Sequence, residues 1–291
     1  QSGSHLVDLL LEAVRGEESR SGPPLPADLA NQVVEELDRL LSRQLSALLH
    51  HPQVQRLEAA WRGLKLLVDR LDFRRNIRLS VLPLAKDQLG PALYHQMLMA
   101  TFSGTVQELL EAPYSVVVTD FEFENTPADL EQLRDLSETM TSLQVLLVAG
   151  AGPAFFGLQQ AAELAKLPLL NQHMKEDRYI AWNGLRGNPQ ARFLALAMPR
   201  FLLRFAYGAD NQVRRFGFVE LANDKLAETE AEGLLWGNGA LAVGINMAHS
   251  FTETGWATHL TGVQGSGRVE DLPLWRCRGP GGEVRVPLEV V

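Results

Sequence analysis

Apolar residues in the first quarter of the chain recur at alternating steps of three and four. Leu29, Val33, Leu37, Leu40, Leu41, Leu45 and Leu48 are expected to point inward from one side of a helix, and Asp28 lies early enough to meet the positive end of the helix dipole. Val54, Leu57, Trp61, Leu64, Val68 and Leu71 form a second stripe, which must be buried against something. Pro52 suits a first helical turn, where no backbone N–H is needed, so His50 and His51 mark the break between two helices. Adjacent histidines on a turn point in different directions, unlike a pair spaced to share a metal. The pattern predicts a helical hairpin over residues 27–72. Ahead of it, His5–Arg15 reads as a short amphipathic helix with Leu6, Leu9, Leu10 and Val14 on one side, followed by the linker GEESRSGPPLP, so that residues 1–26 are a tethered helix. Such a helix is marginal alone and packs either on its own domain or on a partner.

From Asn76 the period changes to two. IRLSVLPL, YSVVVTDF, LQVLLVAG and ARFLALAM read as strands, and the near-continuous apolar runs of the middle two suit strands covered on both faces. Helical patterns separate them around residues 86–111, 127–141 and 155–166. Leu234–Thr254 reads as a small-residue-rich helix, and residues 256–291 as short strands with Gly-rich turns. The expected fold class is α/β: an N-terminal helical hairpin, then over residues 73–291 a mixed, partly parallel sheet flanked by helices.

Composition narrows the functions. The 291 residues carry a net charge of −8 and no Lys/Arg-rich block, which argues against nucleic acid as a partner. No apolar run approaches the length of a membrane span, so no membrane insertion is expected. The single cysteine, Cys277, cannot form an internal disulfide and sits in the alternating run PLWRCR; a reducing cytoplasm fits. The first residue is Gln, and the chain stops in the strand-like run PLEVV; both ends read as cut. The run Glu220–Glu232, with five acids and one lysine, reads as a solvated helix or loop.

Three segments invite chemistry. GAGP after the strand Leu143–Ala149 is a Gly-rich turn of the kind that approaches phosphate, but it lacks the third glycine, and Pro153 removes an N–H. Asp120, Glu122 and Glu124 in TDFEFE share one side of a continued strand and could bind a divalent cation; the alternatives are solvent and arginines of a neighbouring subunit. In PRFLLRFAYG, Arg200 and Arg204 are spaced to share a helical face among Phe201, Leu202, Leu203 and Phe205, which suits an internal ion pair or a subunit contact equally. No nucleophile elbow or histidine constellation is present, and neither catalytic residues nor a cofactor is expected.

LLSRQLSALLHHP followed by QRLEAAWRGLKLLV resembles the N-terminal signature of the large subunit of the type VI secretion contractile sheath, the TssC/VipB type. PRFLLRFAYG, WGNGA (Trp236–Ala240) and GWATHLTGVQGSGRVEDLP (Gly255–Pro273) match in the same order. The resemblance implies a cytoplasmic structural protein, not an enzyme. It would pair with the small sheath subunit (TssB/VipA type), polymerise with further sheath subunits around the inner tube protein on a baseplate, and meet an AAA+ disassembly ATPase (ClpV type). It makes Leu40, Leu45, Leu48, Val54, Leu57, Trp61, Leu64, Val68, Arg200 and Arg204 interface candidates, and Leu9, Leu10 and Val14 candidate contacts for the ATPase. It also implies that a C-terminal part of the family is missing here. Residues 87–113 follow the family poorly. The alternative is a cytoplasmic α/β enzyme or nucleotide-binding domain using GAGP or the Asp120 group.

Overall fold

A computed structural model describes residues 27–90, 93–95, 114–159, 163, 167, 169–208, 211–213, 216–220, 233–256, 260, 267–273, 277–278 and 284–285. The predicted helix His5–Arg15, most of the helix expected over 86–111, the acidic run beyond Glu220 and the side chain of Cys277 lie outside the described residues. By internal contacts the chain divides into two units, one of residues 1–57 and 205–224, the other of residues 58–204 and 225–291.

The helices α1 (Ala27–Leu49) and α2 (Pro52–Arg70) begin and end where the sequence places them. The break between them is short because Pro52 starts a new helix, while the His50 and His51 amides still bond back to Ser46 O (3.0 Å) and Leu48 O (3.1 Å).

The larger unit is built on a parallel sheet of β1 (Val116–Phe123), β2 (Leu146–Ala151) and β3 (Leu194–Ala197), with β2 in the centre. Val116 pairs with Leu146 and Leu147 with Leu194. The β1–β2 register shifts between Val118 and Glu122. The helix α3 (Pro127–Leu143) covers one face. Thr126 caps it by accepting from the Asp129 amide, Pro127 supplies the first turn, and Gln144 ends it in a left-handed conformation at φ 56°. Its buried Leu130, Leu133, Leu136 and Met140 pack with Phe123, Leu147 and Ala149. The other face is covered by α5 (Gly239–Thr254), whose Ala240 and Met247 meet Val148 and Ala197. Between β2 and β3 lies α4 (Ile180–Arg186), and Tyr179 before it joins Phe155 and Phe156 in an aromatic cluster. Two antiparallel pairs follow: β4 (Phe201–Leu202) with β5 (Trp236–Gly237), and β6 (Cys277–Arg278) with β7 (Val284–Arg285).

The α/β class and three of the four expected strands are found. IRLSVLPL is not a strand: residues 77–85 form no helix or sheet pairing, and Val81 and Leu82 are exposed. Alternation records which residues suit a pleated surface, but a strand also needs a neighbour to bond. Of the helix expected over 155–166, residues 155 and 156 belong instead to the 3₁₀ turn Pro153–Phe156, which Gly157 ends at φ +73°. PRFLLRFAYG is not helical either. Its Phe201 and Leu202 pair with Gly237 and Trp236, and the Leu203 amide donates to Leu235 O (3.0 Å), so non-local bonding overrides a helical spacing.

Candidate functional site

The helix α2 has two apolar sides. One faces its own unit. Gly63 is buried, and a Cβ there would stand 2.8 Å from Leu241 Cδ1 of α5, so glycine permits a close approach of the two helices. Trp61, two residues earlier and so about 200° around the helix, points elsewhere. Its exposure is 66%, beside Leu57 at 61% and Val68 at 47%. Val54, Leu64 and Leu71 on the same stripe are half-buried. The stripe read from the sequence is thus the helix's outer face.

On α1, Val33 is buried and Leu40 and Leu45 are half-buried, whereas Val34, Leu37, Leu41 and Leu48 are exposed. The expectation that Leu37, Leu41 and Leu48 point inward is corrected for this chain, because its own residues do not cover them. The side chain of Leu29 lies outside the described residues. Val34 was not singled out by the sequence reading, although it stands three residues before Leu37 and seven before Leu41.

The arginines of PRFLLRFAYG have carboxylate partners on the same chain. Arg200 pairs through Nε and Nη2 with both oxygens of Glu122 on β1. Arg204, 7% exposed, donates from Nε to Glu58 Oε1 on α2 at 2.9 Å, and Arg62 Nε reaches the same oxygen at 2.7 Å. Burial pushes the Glu58 carboxyl up, but hydrogen bonds from Arg204 and Arg62 outweigh it and hold the group below its ordinary value. The sequence offered Glu122 only as one of three acids and did not single out Glu58. The Glu58/Arg62 spacing of four was the available signal.

These pairs also account for the glycines of GAGP. A Cβ on Gly152 would stand 3.0 Å from Arg200 Nη2 and closer still to the Glu122 carboxylate; one on Gly150 would stand 2.5 Å from the Asn238 amide. Asn238 donates to Phe121 O (2.9 Å) and accepts from the Ala240 amide (2.8 Å), capping α5. The space over these glycines is therefore filled by protein side chains. Asp120 and Glu124 are exposed and do not join Glu122 in one cluster: Glu122 turns to Arg200, and the register shift after Val118 breaks the simple alternation. Among the described residues no helix is long and apolar enough to cross a membrane. The ATPase-contact candidates Leu9, Leu10 and Val14 lie outside the described residues.

The family model described as VipB: EvpB/VC_A0108, tail sheath N-terminal domain, matches residues 31–291. The chain is 30% identical over 257 residues to the type VI secretion system sheath protein TssC1 of Pseudomonas aeruginosa, across 83% of this chain and 50% of that protein. It thus spans half the length of that relative.

Proposed function

The chain belongs to the VipB (EvpB/VC_A0108) tail sheath N-terminal domain family, and from that premise we propose that it is a structural subunit of a type VI secretion contractile sheath. In this reading residues 27–72 provide contact with the small sheath subunit and residues 73–291 form the sheath domain, polymerising with further copies around the inner tube protein on a baseplate. Contraction is a rearrangement of subunits between two packed states, with no catalytic residue in this chain. The protein works in the cytoplasm. Leu9, Leu10 and Val14 of the tethered helix are assigned to the AAA+ disassembly ATPase of ClpV type.

The observation that carries this reading is the outer stripe of α2, with Leu57, Trp61 and Val68 exposed on a helix whose other side is already packed. Such a surface calls for a protein partner. The enzyme alternative is not favoured, because the glycines it would use make room for Asn238 and the Glu122–Arg200 pair.

The test is co-expression of the chain, with any C-terminal continuation its gene encodes, and the small sheath subunit of the same secretion system, followed by negative-stain electron microscopy. Tubules that contain both proteins are expected. A monodisperse monomer that leaves the small subunit unbound would return the enzyme or nucleotide-binding alternative to first place.

A further inference from the structure

Residues 77–84 cross the larger unit without backbone pairing. Among the described residues no amide or carbonyl from Ile77 to Leu84 bonds another backbone group. Their course follows from what anchors each end. The helix α5 runs antiparallel along β1: Asn238, its cap, bonds Phe121 O (2.9 Å), and a Cβ on Gly244 would stand 2.9 Å from Val118 Cγ2. Five residues further, or about 7.5 Å, His249 donates from Nε2 to Arg70 O at 3.0 Å, so α2 ends near the start of β1 on the α5 side. At the other end Leu84 packs into the α3 cluster with Phe123. Lys86 Nζ lies 4.4 Å from the centre of the Phe123 ring and donates to Asp129 at 2.8 Å, in the first turn of α3. A chain passing beside β1 from the α5 side to the α3 side goes round the outer edge of β1, since β2 occupies the inner one.

We infer that residues 77–84 are a strap that closes on this edge as a fourth, parallel strand, with Ile77 level with Val116 and Leu84 level with Phe123. The β1 strand has eight residues, as many as the strap. The alternation suits both faces of the sheet. Val117 and Phe123 belong with Leu84 to the cluster on the α3 side, whereas Val116 and Val118 pack on the α5 side, where the half-buried Ile77 and Leu79 fall in this register. Pro83 fixes which amides pair. A proline is tolerated in an edge strand where its missing N–H faces outward, so Ile77, Leu79 and Val81 also face outward and Arg78, Ser80 and Leu82 donate to β1.

Closing gives partners to backbone groups on both segments, and it orders only a short stretch that is already held at each end. A free strand edge is a template for a strand of another chain. The open strap leaves the outer edge of β1 on offer, and the closed strap withholds it.

The test is a cysteine trap in the full chain carrying Cys277→Ala. Paired strands stand about 4.8 Å apart, within the Cα separation that a disulfide spans. Leu79→Cys/Val118→Cys is expected to form an intramolecular disulfide at least about tenfold faster than Ser80→Cys/Val118→Cys, whose side chains fall on opposite faces of the closed sheet. Adding Ser80→Pro to the first pair is expected to slow trapping about tenfold or more, because the Ser80 amide donates to β1. Adding Val81→Pro is expected to change it less than about twofold. Equal trapping of the two cysteine pairs overturns the inference, as does an equal effect of the two prolines. If the first cysteine pair loses the native circular dichroism, amide exchange of the wild-type chain decides instead. Exchange at Arg78, Ser80 and Leu82 slower by at least about threefold than at Ile77, Leu79 and Val81 supports the strap, and uniform exchange across the six overturns it. Each outcome leaves the sheath reading untouched, since the chain is measured alone.

Discussion

Arg204 donates from its buried guanidinium to Glu58 across 146 positions of sequence, Nε to Oε1 at 2.9 Å. Both residues belong to the larger unit and stand at its limits, since the division falls between Leu57 and Glu58 and between Arg204 and Phe205. The first and last residues of the larger unit's first segment, Glu58 on α2 and Arg204 after β4, thus hold each other. Arg62 joins on the same carboxylate oxygen.

Glu58→Gln is expected to lower stability by roughly 2 kcal/mol, less than the ~3–5 kcal/mol of a fully buried pair, because the Glu58 carboxylate keeps some contact with water. The cost is the loss of the charge-assisted contacts that the Glu58 carboxylate makes with the Arg204 and Arg62 guanidinium groups. Urea unfolding of the two proteins measures it, and Glu58→Gln/Arg204→Met should recover much of the loss.

The same pair has a pH signature. The folded Glu58 carboxyl lies below its ordinary value, so its contribution is fully present above the unfolded value of about 4.3 and is lost as pH falls through the lower folded value. The stability difference between wild type and Glu58→Gln should be level from pH 7 to about 5 and shrink on further acidification. A difference that grows below pH 4 would have the wrong sign for this account.

Gly150→Ala should destabilise by about 1–3 kcal/mol, because the new methyl group stands where the Asn238 amide caps α5 and bonds Phe121 O. Thermal unfolding checks the size. Equilibrium dialysis with ATP separates the packing role from a phosphate-binding one: wild type and variant should both fail to retain nucleotide.

Trp61→Glu should change the stability of the isolated chain by no more than about 0.5 kcal/mol, since the side chain is 66% exposed, and should abolish binding to the small subunit. Unfolding of the variant alone would place Trp61 in the chain's own core instead.

The sequence by itself determined the parts whose signals are local. The α1 and α2 limits follow from apolar spacing and Pro52; α3 lies where a helical pattern was expected around residues 127–141; β2 follows from its apolar run. The family was also legible, because four ordered motifs carry it and the match over residues 31–291 bears it out. Only the tertiary structure decided what each surface faces. A helical period states that one side of α2 is apolar but not whether that side meets its own chain, and here Gly63 meets Leu241 while Trp61 faces out. Likewise IRLSVLPL alternates like a strand and goes unpaired, PRFLLRFAYG is spaced like a helix and pairs with Trp236–Gly237, and Arg200 and Arg204 find Glu122 and Glu58. Hydrogen bonds and ion pairs between distant residues form only when the whole chain brings donor and acceptor within about 3 Å, and no periodicity in a short window encodes that distance.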